Sequence, residues 1–455
     1  MKLKYLLAAS VVSLSAAATF SAPVHAQTIT SAVEGDVTDA DGNALPGAVV
    51  VVTDTRTNRE VTAVTDSTGS FRTQALQPGG PYTVTVTAPG FEGQTVENVF
   101  TNISGDTSFS FSLSASTGGT DETIIVTGAR ARVTQVAVGP GSAFGTETLE
   151  AFPSITRDIR DIIRIDPRVS LEGNNDVDRI SCLGGNARTN TFTVDGIIQS
   201  DVFGLNGTPF AARNALPLPF DVIEQTSVEF APFDVEYTDF TGCLVNVVTK
   251  AGTNRFSGSA FITYFDEGLQ GETIEQADGT VDTINAGRET RWGATLSGPI
   301  IKDKLFFSFG YEETDLGDGF NDGPFGSGSA NELNFVNQDQ FNEFARIARD
   351  IYGQDIGEQP TQLPESSVRY FGRADWQINN NHRLEETYQR LEETNIEDDF
   401  RGREFGGLNS FEDEGTISDY YSVRLYSDWS DTISTELRVS RAEVGDVQGP
   451  VGFGE

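Results

Sequence analysis

This chain of 455 residues has little histidine, cysteine or methionine: two His, two Cys and one Met. One of the two histidines, His25, lies in an N-terminal segment that we expect to be removed, which leaves His382 alone. One histidine is too few for a histidine-based zinc site or a Ser-His-Asp triad. We therefore expect no catalytic residues, no metal, no cofactor and no enzymatic activity.

Positive charge is scarce as well. The chain has 31 Lys and Arg against 67 Asp and Glu, and its formal net charge at pH 7 is −36. Binding of nucleic acid needs a basic face that contacts the phosphates, so nucleic acid is excluded as a partner. The acidic residues cluster in segments that we predict to be loops, where they form a solvated surface.

Long apolar runs are missing beyond the N-terminus. Residues 1–26 combine Lys2 and Lys4, a short apolar run and the small-residue pattern Val24-His25-Ala26, which is typical of a secretory signal peptide. No later stretch reaches the roughly 18 apolar residues that a membrane-spanning helix needs. The exported chain is thus either soluble or, if it crosses a membrane, a β-barrel.

The two cysteines, Cys182 and Cys243, are expected to form a disulfide. Export brings them into an oxidising compartment, where free thiols are uncommon. The bond would close a loop of about 60 residues and contribute about 4 kcal/mol to stability. Two unpaired thiols are the alternative.

Residues 27–115 alternate apolar and polar residues in short runs, and strands are predicted at 49–53, 60–65, 70–73 and 82–87. Turn residues separate these runs, and the spacing predicts a small β-sandwich with one core. The segments GDVTDADGNALPGAVVVV, TDSTGSFR and PYTVTVTAPGFEG closely resemble the carboxypeptidase regulatory-like domain. The resemblance implies a prealbumin-like sandwich of the carbohydrate-binding-like class, but not that this copy binds sugar.

Residues 116–132 are predicted to be a linker, in which the flexible run STGGT precedes the sequence DETIIVTG. An extended β-branched segment on a soft linker is able to pair with a partner's sheet edge by strand addition. It resembles the TonB box, which TonB-dependent outer-membrane receptors offer to the energy-transducing protein TonB in the periplasm. The residues of this predicted box are Asp121, Glu122, Thr123, Ile124, Ile125, Val126, Thr127 and Gly128.

Residues 133–254 have a mixed character. A short helix is predicted over 156–164, with Thr156 as its cap and Ile159, Ile162 and Ile163 on one face. The later sequences NARTNTFTVDGII and DVIEQTSVEFAPFDVEYTDFTGCLVNVVTK resemble the plug of TonB-dependent receptors in their Oar-like branch. One departure is that most plugs have an Arg-Gly pair where this chain has Asn-Ala-Arg.

The resemblance to a plug suggests residues that would face the ligand. These candidates are Asn186, Arg188, Asn190 and Asp195. The alternative for Arg188, Asp195 and Lys250 is a turn or a salt bridge to the wall of the barrel.

Residues 255–455 alternate apolar and polar residues over longer runs. Trp376, for example, is predicted on the apolar face, and Glu312, Arg373 and Arg424 are predicted on the polar face. One apolar face and one charged face are what lipid outside and a wet lumen inside require. Short connections alternate with long acidic ones, as in outer-membrane barrels, whereas a compact soluble domain seldom tolerates three such loops. In the second long loop, residues 338–352 are predicted to be a helix whose apolar face packs on its own loop.

We count seven strands in this region. Single-chain bacterial barrels have even strand numbers and no open edge. We therefore expect the sequence to be the N-terminal part of a longer chain. The predicted architecture is mainly β: a signal peptide, a small sandwich, a mixed α/β plug, and the first strands of an incomplete antiparallel transmembrane barrel.

The resemblance implies a TonB-dependent outer-membrane receptor that imports an external ligand through a plugged β-barrel with proton-motive energy. Its implied partners are a TonB-type protein, outer-membrane lipid and an external ligand such as a siderophore, an oligosaccharide or a peptide. Its location would be the outer membrane of a Gram-negative cell, with the sandwich in the periplasm. The alternatives are a surface receptor or adhesin that transports nothing, and an exported carbohydrate-binding protein.

Overall fold

The computed structural model describes residues 29–451, apart from residues 74, 104, 117–123, 126–133, 138–140, 153, 155, 174–177, 200, 202–209, 214–215, 231–241, 270, 272, 276–278, 280, 284–287, 399–402 and 431–432. The predicted signal peptide lies outside the described residues. The described chain is mainly β, as predicted.

The first unit is a sandwich of two sheets. Its strands are β1 (Val33–Asp39), β2 (Val49–Asp54), β3 (Arg59–Val64), β4 (Ser70–Arg72), β5 (Gly79–Thr87), β6 (Gln94–Thr101) and β7 (Gly105–Leu113). Two more strands extend the sheets: β8 (Ile124–Ile125) in the predicted linker and β9 (Thr134–Ala137), with which the linker continues past its predicted end. The sheet orders are β3-β2-β5-β6-β8 and β4-β1-β7-β9. Val50, Val84 and Phe109 are buried in the core between the sheets, which alternation along each strand explains.

The second unit is built on a five-stranded sheet with the order β10-β15-β16-β13-β14, beside a hairpin of β11 and β12. Its elements are β10 (Gly141–Gly145), α1 (Thr146–Ala151), α2 (Ile159–Ile163), β11 (Val169–Gly173), β12 (Asp178–Cys182), a 3-10 turn (Ala187–Thr189), β13 (Thr191–Val194), β14 (Ile197–Ile198), a second 3-10 turn (Phe220–Val222), β15 (Ile223–Glu229) and β16 (Leu244–Thr249). We call this unit the plug.

Helix α2 has the predicted buried face, because Ile159, Ile162 and Ile163 are all fully buried. The predicted cap was wrong. Asp158 caps the helix, since its side chain accepts a hydrogen bond of 2.7 Å from the amide of Arg160. The hydroxyl of Thr156 instead donates to Asp161, so the helix begins three residues later than expected.

The third unit is an antiparallel wall. Its elements are β17 (Ser257–Phe265), a 3-10 turn (Glu267–Leu269), β18 (Thr273–Glu275), β19 (Val281–Thr283), β20 (Glu289–Ile301), β21 (Leu305–Gly319), β22 (Asp322–Phe325), β23 (Asn331–Asn337), α3 (Gln338–Ile347), a π-helical turn (Ala348–Tyr352), β24 (Gln362–Asn379), β25 (His382–Glu397), a 3-10 turn (Leu408–Ser410), β26 (Glu412–Asp413), β27 (Thr416–Ser430), β28 (Ile433–Asp446) and β29 (Gly449–Pro450). The seven long strands pair in the order β17-β20-β21-β24-β25-β27-β28.

The wall buries its charged face and exposes its apolar face. Trp292, Trp376 and Trp429 are 41%, 48% and 62% exposed, whereas the inward Glu312 and Arg424 are each 1% exposed. A soluble domain would have the opposite burial. This pattern agrees with strands that face lipid on one side and a filled lumen on the other.

Aromatic side chains gather at two levels on the outer face of the wall. Further along the strands toward the long loops, the rings of Trp292 and Tyr311 lie 5.0 Å apart, and those of Tyr311 and Tyr370 lie 5.1 Å apart. Near a short turn, the rings of His382 and Trp429 lie 4.9 Å apart. Two such bands are expected where a barrel meets the two membrane–water interfaces.

The long connections differ from expectation because the strands extend into them. Strand β21 runs to Gly319 and β24 begins at Gln362, so both strand ends lie inside the loop expected over residues 313–367. The predicted helix begins as α3, where Phe341 packs on Phe405, but Phe344 is 55% exposed. Phe405 belongs to the next long connection, between β25 and β27, so the apolar face is only partly packed and meets a neighbouring loop as well as its own. Within the described ranges, no helix is both long and apolar enough to cross a bilayer.

The three tryptophans provide a direct test of the lipid-facing surface, since the whole chain has only these three. We expect brominated phospholipids to quench the fluorescence of all three in reconstituted protein, because each projects from the outer face. Variants that keep one tryptophan and replace the other two by Phe separate the signals. Quenching by aqueous acrylamide but not by bromolipid would contradict a lipid-facing wall.

Candidate functional site

The plug turn at Asp195-Gly196 is enclosed by charged side chains. Asp195 is 1% exposed and has a φ of 46°, a conformation that Asp tolerates better than most residues. Its carboxylate accepts hydrogen bonds from the amide (2.9 Å) and hydroxyl (2.7 Å) of Thr249. Burial raises the pKa of Asp195, whereas Arg373, whose guanidinium lies 3.8 Å from the carboxylate, lowers it.

Guanidinium groups of the wall hold this turn. Arg424 donates a hydrogen bond to the carbonyl oxygen of Asp195, and Arg438 donates to that of Gly196. Arg373 also pairs with Asp375 at 2.8 Å and Glu385 at 2.9 Å within the wall. We call this group of contacts the turn junction; it joins β13 and β14 to β24, β25, β27 and β28.

A second contact between plug and wall is centred on Glu312 of β21, which is 1% exposed. Its carboxylate lies 3.4 Å from the guanidinium of Arg157 in the plug and 3.3 Å from that of Arg369 in the wall. The same carboxylate accepts a hydrogen bond of 3.0 Å from the amide of Phe220. Arg157 also lies 3.5 Å from the ring centroid of Phe261 on β17.

A third contact is made by Arg213 of the plug. Its amide donates a hydrogen bond of 2.7 Å to Glu393, and its guanidinium contacts Glu397 and Glu414. Apolar side chains add to these polar contacts, because Phe371 and Leu391 of the wall belong to the buried core cluster of the plug. Charge pairs and a shared apolar core therefore both hold the plug against the wall.

The four predicted ligand-side residues occupy different surroundings. Asn190 is buried: its side chain accepts from the amide of Cys243 at 3.0 Å and donates to the carbonyl of Ile180 at 2.8 Å. Asn186 accepts a hydrogen bond of 3.0 Å from the amide of Arg188, and the Arg188 side chain is exposed. With Asp195 in the turn junction, the structure brings no common ligand-facing cluster together from these four. Their role toward a ligand stays a prediction.

For the charged candidates, the alternative to a ligand role is a turn or a salt bridge to the wall, and the structure answers differently for Asp195 and Lys250. Asp195 takes both suggested roles, since it lies in a turn and contacts the wall. The ammonium of Lys250 lies 4.0 Å from Glu150, which belongs to the plug itself and not to the wall.

Cys182 and Cys243 are joined by a disulfide, with Cα atoms 6.0 Å apart and a sequence separation of 61. The bond connects the end of β12 to the start of β16. The side-chain bonds of Asn190 to Ile180 and Cys243 lie beside it and join the same two segments. The hairpin of the plug is therefore attached covalently to its central sheet.

The sandwich docks against the plug. Arg56 lies 3.6 Å from Glu224, and the side chain of Gln225 donates a hydrogen bond of 2.7 Å to the carbonyl of Thr101. Burial raises the pKa of Glu224, and the positive charge of Arg56 opposes this increase. Ile29 and Ile103 of the sandwich side form a small buried cluster with Val248 of β16.

The sandwich also contacts the end of the wall that carries the short turns. Asn58 donates a hydrogen bond of 3.0 Å to Asp303, which lies in the turn between β20 and β21. The side chain of Gln77 donates a hydrogen bond of 3.0 Å to Asp375, near the end of β24 that leads into a short turn. The sandwich therefore lies at the short-turn end of the wall, opposite the long loops.

Of the predicted TonB box, the structure describes the backbone of Ile124 and Ile125, which form β8 and pair in parallel with Gln94 and Thr95 of β6. The other box residues, Asp121, Glu122, Thr123, Val126, Thr127 and Gly128, lie outside the described residues. Strand β9 pairs antiparallel with β7.

Sequence reasoning named the charged inward face of the wall but not its plug partners. Arg157 and Arg213 carried no signal that distinguished them from surface arginines. Glu312 was placed on the inward face by alternation along β21. Alternation along a strand predicts the side on which a charged residue lies, but not the residue of the plug that it contacts.

Comparison with known proteins identifies two segments of the chain. The carboxypeptidase regulatory-like domain matches residues 32–114, and the outer membrane beta barrel domain matches residues 248–321. The TonB-dependent transporter Oar of Myxococcus xanthus is 29% identical over 294 residues, which cover 62% of this chain and 26% of that protein. This chain is a homologue of a TonB-dependent transporter.

The chain therefore has the sandwich and the outer-membrane barrel strands that the sequence predicts, and the predicted location in the outer membrane is confirmed. The iron-regulated outer membrane virulence protein of Vibrio cholerae is 31% identical over 144 residues, which cover 31% of this chain and 22% of that protein. The chain thus spans about a quarter of the length of the curated relatives it matches.

Solved structures similar to this chain include the outer membrane transporter YddB from Escherichia coli, with a TM-score of 0.47, 12% identity, and coverage of 68% of this chain and 39% of that chain. The siderophore receptor PirA from Acinetobacter baumannii has a TM-score of 0.44 and 19% identity, and the match covers 67% of this chain and 40% of that chain.

Replacing Glu312 by Gln tests the second contact. The change leaves Arg369 buried without the carboxylate it pairs with, and breaking a buried pair in this way costs about 3–5 kcal/mol. Arg157 keeps its second carboxylate partner, Asp221, at 2.8 Å. We expect a loss of that size in the free energy of unfolding of the plug, measured by pulse proteolysis over a urea series in detergent.

The matched control is Asp315→Asn on the same strand, whose side chain is 55% exposed and pairs with an exposed arginine. It should leave the urea midpoint unchanged, since exposed pairs contribute little. Equal midpoints for both variants would refute a stabilising role for the Arg157–Glu312–Arg369 contact.

Removing the disulfide by Cys182→Ser and Cys243→Ser should lower the free energy of unfolding by about 4 kcal/mol, because the unfolded chain regains the freedom of the closed loop. Differential scanning calorimetry with and without reductant measures the effect in the unaltered protein as well. If the double variant and the oxidised parent unfold at the same temperature, the bond does not stabilise the plug.

Proposed function

We propose that this chain belongs to a TonB-dependent outer-membrane receptor that binds an external ligand and imports it through a plugged β-barrel with proton-motive energy. The observation that carries this proposal is a plug held by buried charge pairs inside a wall whose outer face is apolar. A plug of this kind closes a passage, and charge pairs offer contacts that water replaces readily when the plug moves. No covalent chemistry is part of the proposal.

The connection from the predicted box to the plug supports a pulling mechanism. Strand β10 is the first plug strand after the linker and lies at the edge of the plug sheet. Its Gly145 pairs with Gln225, which contacts the sandwich, whereas its Gly141 pairs with Glu229 at the far end of β15. Force from the periplasm on Gly141 therefore peels β10 from β15 one residue pair at a time.

The turn junction lies at the opposite edge of the plug sheet, on β13 and β14. It is thus the last part of the sheet to feel a force that enters through β10. In this proposal the pull opens the β10 side of the plug first, while Arg373, Arg424 and Arg438 hold the other side to the wall.

The proposed partners are a TonB-type protein in the periplasm, lipid around the wall, and an external ligand that is a siderophore, an oligosaccharide or a peptide. The proposed units are the signal peptide 1–26, the sandwich 27–115, the linker with the box 116–132, the plug 133–254 and the barrel strands 255–455. Asn186 and Arg188, which are both exposed, are the candidates that a ligand reaches without displacing a contact of the turn junction.

The decisive test replaces residues 122–127 by Gly and Ser, which keeps the linker length but removes the β-branched residues. We expect the purified protein to lose its binding to the C-terminal domain of the TonB-type protein, measured by isothermal titration calorimetry. Strand addition needs a segment that favours extended backbone, and Gly-Ser chains favour flexible coil instead.

The same replacement over residues 115–120, which are already rich in Ser, Thr and Gly, is the matched control and should bind like the parent. Equal binding by all three proteins would reject residues 122–127 as the coupling site. It would favour a surface receptor or adhesin that uses no TonB-type partner.

A further inference from the structure

The linker that carries the predicted box is paired with both sheets of the sandwich. Strand β8 pairs with β6 at Gln94↔Ile124 and Thr95↔Ile125. Strand β9 pairs with β7 through four registered residue pairs, from Gly105↔Ala137 to Ser108↔Thr134. Because β6 and β7 are consecutive strands in different sheets, the linker attaches to both layers of the sandwich.

Each linker strand occupies the last position of its sheet, since the orders end in β6-β8 and β7-β9. Without the linker, β6 and β7 would present unpaired backbone groups as open edges. These bonds use backbone groups, so they depend on extended conformation more than on side-chain identity. The sandwich therefore offers two edges that hold an extended segment and are able to release it.

The order of strands along the chain puts the sandwich in the path of any pull. Strand β9 lies between β8, which contains part of the predicted box, and β10, the first strand of the plug. Force applied at the box reaches β9 before it reaches Gly141. The ladder between β9 and β7 must open before the plug carries the load.

The sandwich does not simply follow the linker, because it is fastened at other points. The pairs Arg56–Glu224 and Gln225–Thr101 attach it to the plug. The hydrogen bond from Asn58 to Asp303 attaches it to a short turn of the wall, which does not move with the plug. A pull on the linker is thus resisted by an anchored body.

We propose that the sandwich is a clamp on the coupling linker: its β7 edge holds β9 and must release it before force reaches the plug. This inference rests on the proposed function, because it assumes that a TonB-type protein pulls on the box. The clamp sets a threshold of force, so that binding of the TonB-type protein alone does not loosen the plug.

Single-molecule force spectroscopy on the whole protein in lipid vesicles tests the clamp. The probe is the C-terminal domain of the TonB-type protein, fixed to the cantilever tip. With the parent protein we expect an early low-force event that lengthens the tether by about 5 nm, which is the extended length of the residues between β8 and β10. Events from the plug should follow at larger extension.

A disulfide between Thr107→Cys and Gln135→Cys should lock the clamp, because these two residues are directly opposite in the ladder. Thr107 is buried and its hydroxyl has no hydrogen-bond partner among the described residues, so cysteine fits this site with little loss. The locked protein should lose the early event. The two single-cysteine variants are the controls and should keep it.

Val136→Pro tests the opposite change, because proline disrupts the ladder of β9 without touching the predicted box. We expect its first event to come from the plug, with no earlier step. If the parent and both variants give the same force curves, the sandwich is no clamp. If the tip fails to bind the parent protein, the proposed coupling to a TonB-type protein fails instead.

Discussion

Every long strand of the wall must be apolar on its outer side, and this requirement leaves its polar residues no place but the inside. There they cannot meet bulk water freely, because the plug fills the space. Buried charges are tolerated only when they are paired and hydrogen-bonded. The plug supplies those partners through the Asp195 turn, Arg157 and Arg213. Without the other unit, the wall and the plug would therefore each contain buried charged groups that lack a partner.

The contacts between plug and wall differ in how they respond to water. When the plug moves, the charges of a pair such as Arg157–Glu312 are separated, but water is able to solvate each of them. Phe371 and Leu391, which share the core of the plug, have no such compensation when they are exposed. The plug is thus held by a polar part that water can replace and an apolar part that favours return to the closed arrangement.

Alternation along the strands predicted the faces of the wall, and Trp376, Arg373 and Arg424 all lie on the expected side. The buried face of α2 was also predictable, because three isoleucines repeat at helical spacing. Its cap was not, since Asp158 and Thr156 are both good capping residues and the backbone turn at Arg157 decides between them.

Strand β1 went unrecognised because Gly35 interrupts its apolar pattern, and this glycine allows close approach to Phe109 of β7. The pairing of β8 with β6 carries no side-chain signature at all.

The disulfide has a mechanical consequence for a plug that is drawn out from its N-terminal side. Up to Cys182 the polypeptide is a single thread, and β10, α1, α2 and β11 lie within that length. Beyond that residue the disulfide ties Cys182 to Cys243. The residues between them can therefore be drawn out only as a loop, with two segments of chain side by side. Extraction beyond β12 therefore has to draw two segments of chain at once, and the sheet strands β13, β14 and β15 all lie within the enclosed loop.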